Sequence, residues 1–192
     1  EHFSEVFIDE VRIPHDNVLG DVNGGWACAI TTLSNERGLI AGANRSSDSA
    51  ALIEVARKRG RSDDPVLRQQ LVDCWTRQQI QRYLGFRLQT ALSKGSPPGP
   101  ETSVMKLFAA EYLRRLGNTA LELLGPEGML VDERAPGGSE WQARFLFAPA
   151  IRIAGGSNEV QRNIMAERVL GLPGEIRTDR DVAFRDLGRA AS

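Results

Sequence analysis

Apolar residues recur at helical spacing along most of this chain, and the recurrent stretches are broken at Gly and Pro. Residues 3–13, FSEVFIDEVRI, are the exception. There apolar and polar positions nearly alternate, and Phe3, Val6 or Phe7, Ile8, Val11 and Ile13 predict short extended segments ending at Pro14 and the turn-rich HDNVLGDVNGG. From Trp26 the period changes: Ile30, Leu33, Ile40, Ala43, Ala50 and Ile53 predict one long helix that starts near Asn23 or Gly24. RKRGRSDDP interrupts it, because Gly60 and Pro65 both disfavour continuation. A second helix is predicted from Pro65 to Leu92, with Leu67, Leu71, Cys74, Ile80, Leu84, Leu88 and Ala91 as its stripe, and SKGSPPGP breaks it. Met105, Phe108, Tyr112, Leu116, Ala120 and Leu123, spaced by three or four residues throughout, predict a third helix that GPEG ends.

Residues 125–156 are rich in Gly and Pro, carry Trp141, Phe145 and Phe147, and read as an ordered connection. A fourth helix opens at Ser157, a favourable N-cap, with Glu159 in the first turn where the helix dipole favours an anion. Val160, Ile164 and Val169 are its expected buried face, and Gly171 with Pro173 its stop. The closing residues mix acids and arginines and read as a solvated tail. The predicted fold class is therefore all-α: an up-down four-helix bundle preceded by a short β segment. Its parts are residues 1–22, residues 23–173 and the tail 174–192.

Composition narrows the function classes. The 192 residues include 24 Lys+Arg against 25 Asp+Glu, for a net charge of -1, and 41% are hydrophobic, which suits a globular domain rather than a disordered chain. A balanced charge removes nucleic acid as the default partner. No apolar run approaches the roughly 18 residues of a membrane span, and EHFSEVFIDE has no charged leader before an apolar stretch, so neither a span nor a secretory signal is expected. Cys28 and Cys74 have no ligand neighbours and are expected as core thiols in a reducing, cytoplasmic setting. His2 and His15 stand apart, and no metal site is expected.

Three motifs carry a resemblance. RIAGGSNEVQRNIMAERVLGLP, residues 152–173, resembles the C-terminal signature of acyl-CoA dehydrogenases, flavoproteins that oxidise acyl-CoA thioesters to 2-enoyl-CoA. FIDEVRIPHDNVLGDVNGGW, residues 7–26, resembles that family's passage from its middle β-domain into its C-terminal helical domain, and LELLGPEGM, residues 121–129, its flavin-binding turn. The order and spread of the three make the match specific. The resemblance implies that residues 1–22 are the end of a middle β-domain and a linker. It also implies that roughly the first half of the protein lies outside this chain, and that the fragment alone is inactive.

Taken alone, Glu36 before Arg37 is an ordinary solvated ion on a helix. Helical geometry, however, puts it on one face with Leu33 and Ile40, and a carboxylate inside an apolar stripe needs a reason. The family comparison implies one. Most members carry their catalytic Glu two residues before the Ser/Thr of the signature, a place held here by Gly155. A minority, including the isovaleryl-CoA and long-chain enzymes, carry it on the first long helix of this domain, immediately before an Arg. Glu36 matches that position and is the candidate base.

By the same resemblance Arg37, Gly155 and Gly156 border the acyl-CoA substrate, with the Gly155 N–H donating to the thioester carbonyl. Glu122, Gly125, Gly128, Ser157 and Glu159 would contact FAD. Read blandly, Gly155-Gly156-Ser157 is a helix entry and Gly125 or Gly128 a helix C-cap. The chain departs from the family where Glu122 replaces a Gln, where Pro126 replaces a Gly, and where R-x-x-F-G is missing from RKRGRSDDPVLRQQLVD, leaving Arg59 as a stand-in for a pyrophosphate contact. Similar departures occur in actinobacterial relatives acting on steroid side-chain CoA esters. The implied assembly is a homo-tetramer or hetero-tetramer with electron-transfer flavoprotein as acceptor. The reading from a different class is a catalytically silent or scaffold subunit of such a heteromer.

Overall fold

A computed structural model describes residues 4–42, 48–96, 99, 101–135, 138–174, 176, 182 and 186; the side chains of residues 34, 37–42 and 101 are outside that description. Among the described residues six α-helices form: α1 (Gly25–Gly42), α2 (Asp48–Lys58), α3 (Pro65–Ser93), α4 (Glu101–Leu124), α5 (Glu140–Ile153) and α6 (Asn158–Ile164). The all-helical class is the predicted one. The start of α3 shows the local logic: Asp64 accepts hydrogen bonds from the Val66 and Leu67 N–H groups at 3.0 and 3.1 Å, and Pro65 takes the first helical position, where a missing N–H costs nothing.

Helix α4 is the axis of the fold and lies against each of the other five. Its predicted stripe is the core: Tyr112, Leu116, Ala120 and Leu123 are buried against Leu52 and Ala56 of α2, Leu67, Leu71 and Cys74 of α3, and Trp141 of α5. One glycine inside α4 has a packing reason. A β-carbon at Gly117 would lie 2.9 Å from the Phe145 Cα, so α5 can approach this closely only because that carbon is missing. Arg144 of α5 also reaches Asp48 of α2 at 2.6 Å, an ion pair with Asp48 buried and the guanidinium over the Trp141 ring.

Several elements differ from expectation. Residues 4–13 form no strand and are exposed. An alternating pattern needs a neighbouring strand to pair with, and none exists among the described residues. The single long first helix is described as α1 and α2, and residues 43–47 between them lie outside the described residues. Trp26, Ile30 and Leu33 of α1 stay exposed, as does Ile80 of α3. Residues 125–156 hold a whole helix, α5, despite Pro149 inside it, and the GPEG break is a short 3-10 turn, Gly125–Met129. In α6, Val160 is exposed, as is Val169 at the end of the π-helical turn that follows (Met165–Val169), and the buried side chains of α6 are the polar Asn158 and Gln161. Cys74 is a core thiol, but Cys28 is only half-buried, with its Sγ 3.6 Å from the Leu19 carbonyl. Most of the 174–192 tail lies outside the described residues.

Candidate functional site

The loop between α5 and α6 is built on Gly155 and Gly156, at φ +62° and +90°. Both lie in the left-handed region that glycine enters without a side-chain penalty. Ser157 then caps α6, its Oγ accepting from the Val160 N–H at 3.3 Å. The Glu159 carboxyl is exposed, and its own backbone N–H and the Ser157 hydroxyl hold it below the usual carboxylate range.

What fixes this loop is a set of buried polar side chains. Lys106 of α4 is 0% exposed, and its ammonium donates to the Gly156 carbonyl at 2.7 Å, the Asn158 Oδ1 at 3.1 Å and the Arg152 carbonyl at 3.3 Å. An ammonium has three protons, and each finds an acceptor. Burial lowers the Lys106 pKa from the ordinary lysine value, Glu159 opposes that shift and Arg152 adds to it. From the other side Gln161 donates to the Gly155 carbonyl at 2.9 Å, and Asn158 donates to Glu111 Oε1 at 3.1 Å. Both glycine carbonyls are thereby held, one from α4 and one from α6. The Gln161 Oε1 is buried with no hydrogen-bond partner among the described residues, which leaves a polar atom beside the loop for a ligand, whereas the Arg152 Nε is ion-paired to Glu111 at 3.6 Å.

The second group of expected residues sits at the far end of α4. Gly125, at φ +60°, has open space where a β-carbon would go, and Gly128 is buried against Leu121. Gln142 of α5 pins this turn by donating to the Leu130 carbonyl at 2.9 Å and the Glu127 carbonyl at 3.3 Å. Glu122 accepts from Gln70 at 2.8 Å on the rim of a polar cavity of about 320 Å³ that also holds Asp73, Arg114, Arg115 and Asn118. Gln70 Oε1 is buried there without a partner among the described residues. Arg59 is ion-paired to Glu127 of the turn itself.

The structure therefore splits the expected residues. Gly155, Gly156, Ser157 and Glu159 come together, and so do Glu122, Gly125 and Gly128. The sixteen residue steps of α4 from Lys106 to Glu122 put the two groups about 24 Å apart along the helix. Only an extended ligand, or a second subunit, would serve both. Glu36 is half-buried on α1, which packs on α4, so the base candidate and the glycine loop share one supporting helix; the Arg37 side chain lies outside the described residues. Sequence reasoning missed Lys106, Glu111, Asn158 and Gln161. A signal existed: Ser103 and Ala110, three before and four after Lys106 on the same face, are small, and both are buried.

Comparison with known proteins bears on the family and the fold. The family model described as "Acyl-CoA dehydrogenase, C-terminal domain" matches residues 23–170. Acyl-CoA dehydrogenase IpdE1 of Mycobacterium tuberculosis is 38% identical over 184 residues, covering 90% of this chain and 45% of the relative. Acyl-CoA dehydrogenase FadE34 of the same organism is 34% identical, covering 89% of this chain and 23% of its own length. Among solved structures, the Tcur3481-Tcur3483 steroid ACAD superposes with a TM-score of 0.76 at 26% identity, over 87% of this chain and 44% of that one. The chain spans less than half the length of these relatives.

Proposed function

The chain belongs to the acyl-CoA dehydrogenase family, whose C-terminal helical domain it forms, and we propose that it serves α,β-dehydrogenation of an acyl-CoA thioester with Glu36 as base. The observation that carries the proposal is the glycine loop, with both carbonyls of Gly155 and Gly156 held by buried side chains and no carboxylate at Gly155 to do the proton transfer. A thioester α-proton is weakly acidic. Removing it requires a base at the α-carbon and hydrogen-bond donors fixed against the carbonyl oxygen that gains charge. A loop whose geometry is set in advance suits the second task, with the Gly155 N–H as donor. Glu36, half-buried on a helix packed against the same α4, suits the first.

The residues at both ends of α4 fit FAD: unpartnered buried polar atoms at Gln161 and Gln70, the open side of Gly125, and Ser157 at the start of α6. Bound there, FAD supplies a hydride acceptor for the β-carbon. The α-proton goes to the Glu36 carboxylate, and electron-transfer flavoprotein is the proposed onward acceptor. Steroid-type substrates and assembly with a second kind of subunit are the finer reading, supported by the likeness to the Tcur3481-Tcur3483 steroid ACAD and by the departures from the family pattern.

A silent or scaffold role is the second reading, and one observation favours it. Arg59, the nearest stand-in for the missing pyrophosphate arginine, is taken up by Glu127, and Glu122 adds an anion to the flavin turn. The test is the full-length protein purified alone and with its paired subunit. Flavin near one per chain together with acyl-CoA-dependent bleaching supports the enzyme; a colourless chain that stays inert beside a flavin-loaded partner supports the scaffold.

A further inference from the structure

Lys106 is a charged side chain with no exposed surface, on a helix whose other buried positions are apolar or small. Burying an ammonium is costly unless every proton is accepted, so a lysine in such a place needs a reason. Its partners supply it. The Arg152 carbonyl belongs to the last turn of α5, where helix carbonyls lack intrahelical donors; the Gly156 carbonyl is in the loop; Asn158 is the first residue of α6. One atom thus ties together the end of one helix, the loop and the start of the next. It does so from α4, the helix on which α1 and Glu36 also rest.

We propose that Lys106 is a positioning residue for the reaction: by holding the Gly156 and Arg152 carbonyls and Asn158 it sets where the Gly155 N–H meets the substrate thioester carbonyl. This rests on the dehydrogenase reading above. A peptide group is planar, so an anchored carbonyl fixes the direction of the N–H on the same unit. The Lys106 bond to Gly156 fixes the peptide between Gly156 and Ser157, and the Gln161 bond to Gly155 fixes the one between Gly155 and Gly156. The Gly155 N–H belongs to the peptide before these, between Ala154 and Gly155. That peptide is bracketed by the two carbonyls that Lys106 binds, at Arg152 and at Gly156. Lys106 never touches the substrate in this arrangement. Its effect is on alignment, and a misplacement of about 1 Å at such a donor is worth on the order of a hundredfold in rate.

The test uses the full-length protein in its native assembly, loaded with FAD, and a non-reacting acyl-CoA analogue carrying a ¹³C-labelled thioester carbonyl. In the unmodified protein the donor lowers the carbonyl stretching frequency on binding. Lys106→Met, close in length and apolar, is expected to return that frequency toward the value of free analogue and to lower kcat by about ten- to a hundredfold, with KM changed far less. Leu116→Ala, a core change remote from the loop, controls for lost stability and is expected to leave the frequency unmoved. A Lys106→Met protein with the unmodified shift overturns the proposal. If Lys106→Met does not yield folded protein, Asn158→Ala, which keeps the ammonium and removes one acceptor, carries the same test: a partial return of the frequency supports the proposal and no return overturns it. Failure of the dehydrogenase reading looks different, since the unmodified protein would then show no shift at all.

Discussion

Gly156→Ala tests the loop by adding one carbon. Gly156 lies at φ +90°, and its β-carbon would meet the Gln161 Nε2 at 2.6 Å. Two costs follow. The first is backbone strain of an L-residue in the left-handed region, about 1–2 kcal/mol. The second comes from Gln161, which is fully buried, so its amide can escape the new methyl only by leaving the Gly155 carbonyl it holds at 2.9 Å. An unpaired buried acceptor costs about 1–3 kcal/mol. The expected total is about 2–5 kcal/mol. Gly95→Ala separates the two costs, because Gly95 has φ +78° but nothing within 4 Å of its β-carbon. It should lose only the first, about 1–2 kcal/mol. Denaturant midpoints followed by helical circular dichroism, at unchanged slope, report both. Equal losses in Gly156→Ala and Gly95→Ala would refute the claim that Gln161 is locked on the loop.

Three further outcomes are expected. Glu36→Gln in the full-length protein should slow flavin bleaching by acyl-CoA by about a hundredfold or more while acyl-CoA binding persists, and Gly155→Glu in that background should recover part of the rate; near-normal bleaching in stopped flow removes Glu36 from the mechanism. Asp48→Ala should cost about 1.5–3 kcal/mol, the value of a hydrogen bond to a charged group, since the Arg144 guanidinium loses its buried partner and keeps only the exposed Glu140, and adding Arg144→Met should restore part of that loss in a double-mutant cycle; strict additivity would mean the pair is not coupled. Asp64→Ala should lower the denaturation midpoint by uncapping α3. The Asp64 carboxyl is held below its ordinary value of 3.8, first by Arg61 and then by the Leu67 N–H. Its stabilising effect is therefore complete above pH 3.8 and fades as pH falls through the lower folded value. A gap between the two proteins that does not narrow on acidification would show the cap is not ionic.

Helix α4 was legible because its period is unbroken and its stripe meets partners on several sides. Helix α5 was not, because Pro149 removes a ladder hydrogen bond and crowds the preceding turn, an interior cost of about 3 kcal/mol that local reasoning reads as a break. Its compensation is tertiary: Trp141 in the core, Arg144 on Asp48, and the Phe145 backbone against Gly117. The stripe on α1 shows the converse limit. Periodicity reports that Ile30 and Leu33 share a face, but says nothing of what covers it, and in this chain they remain exposed.

The site followed the same division. Turn glycines and a capping Ser157 leave local marks of conformation, while the roles given to them and to Glu36 come from the resemblance and stand as proposals. The residues that hold the loop leave almost none. A lysine one place from Met105, or a glutamine four residues after Ser157, has the composition of a solvated surface, and only three-dimensional neighbours show that neither is solvated. Their burial also explains why α6 turns a polar face inward. Two bent glycine units leave carbonyls pointing into the interior, and an apolar face on α6 would leave them unpaired. Gln161 and, from across the packing seam, Lys106 supply the missing donors, and Asn158 accepts from the same Lys106 ammonium. The loop conformation and the buried polar residues therefore require one another, and a change to either should be felt at the Gly155 N–H.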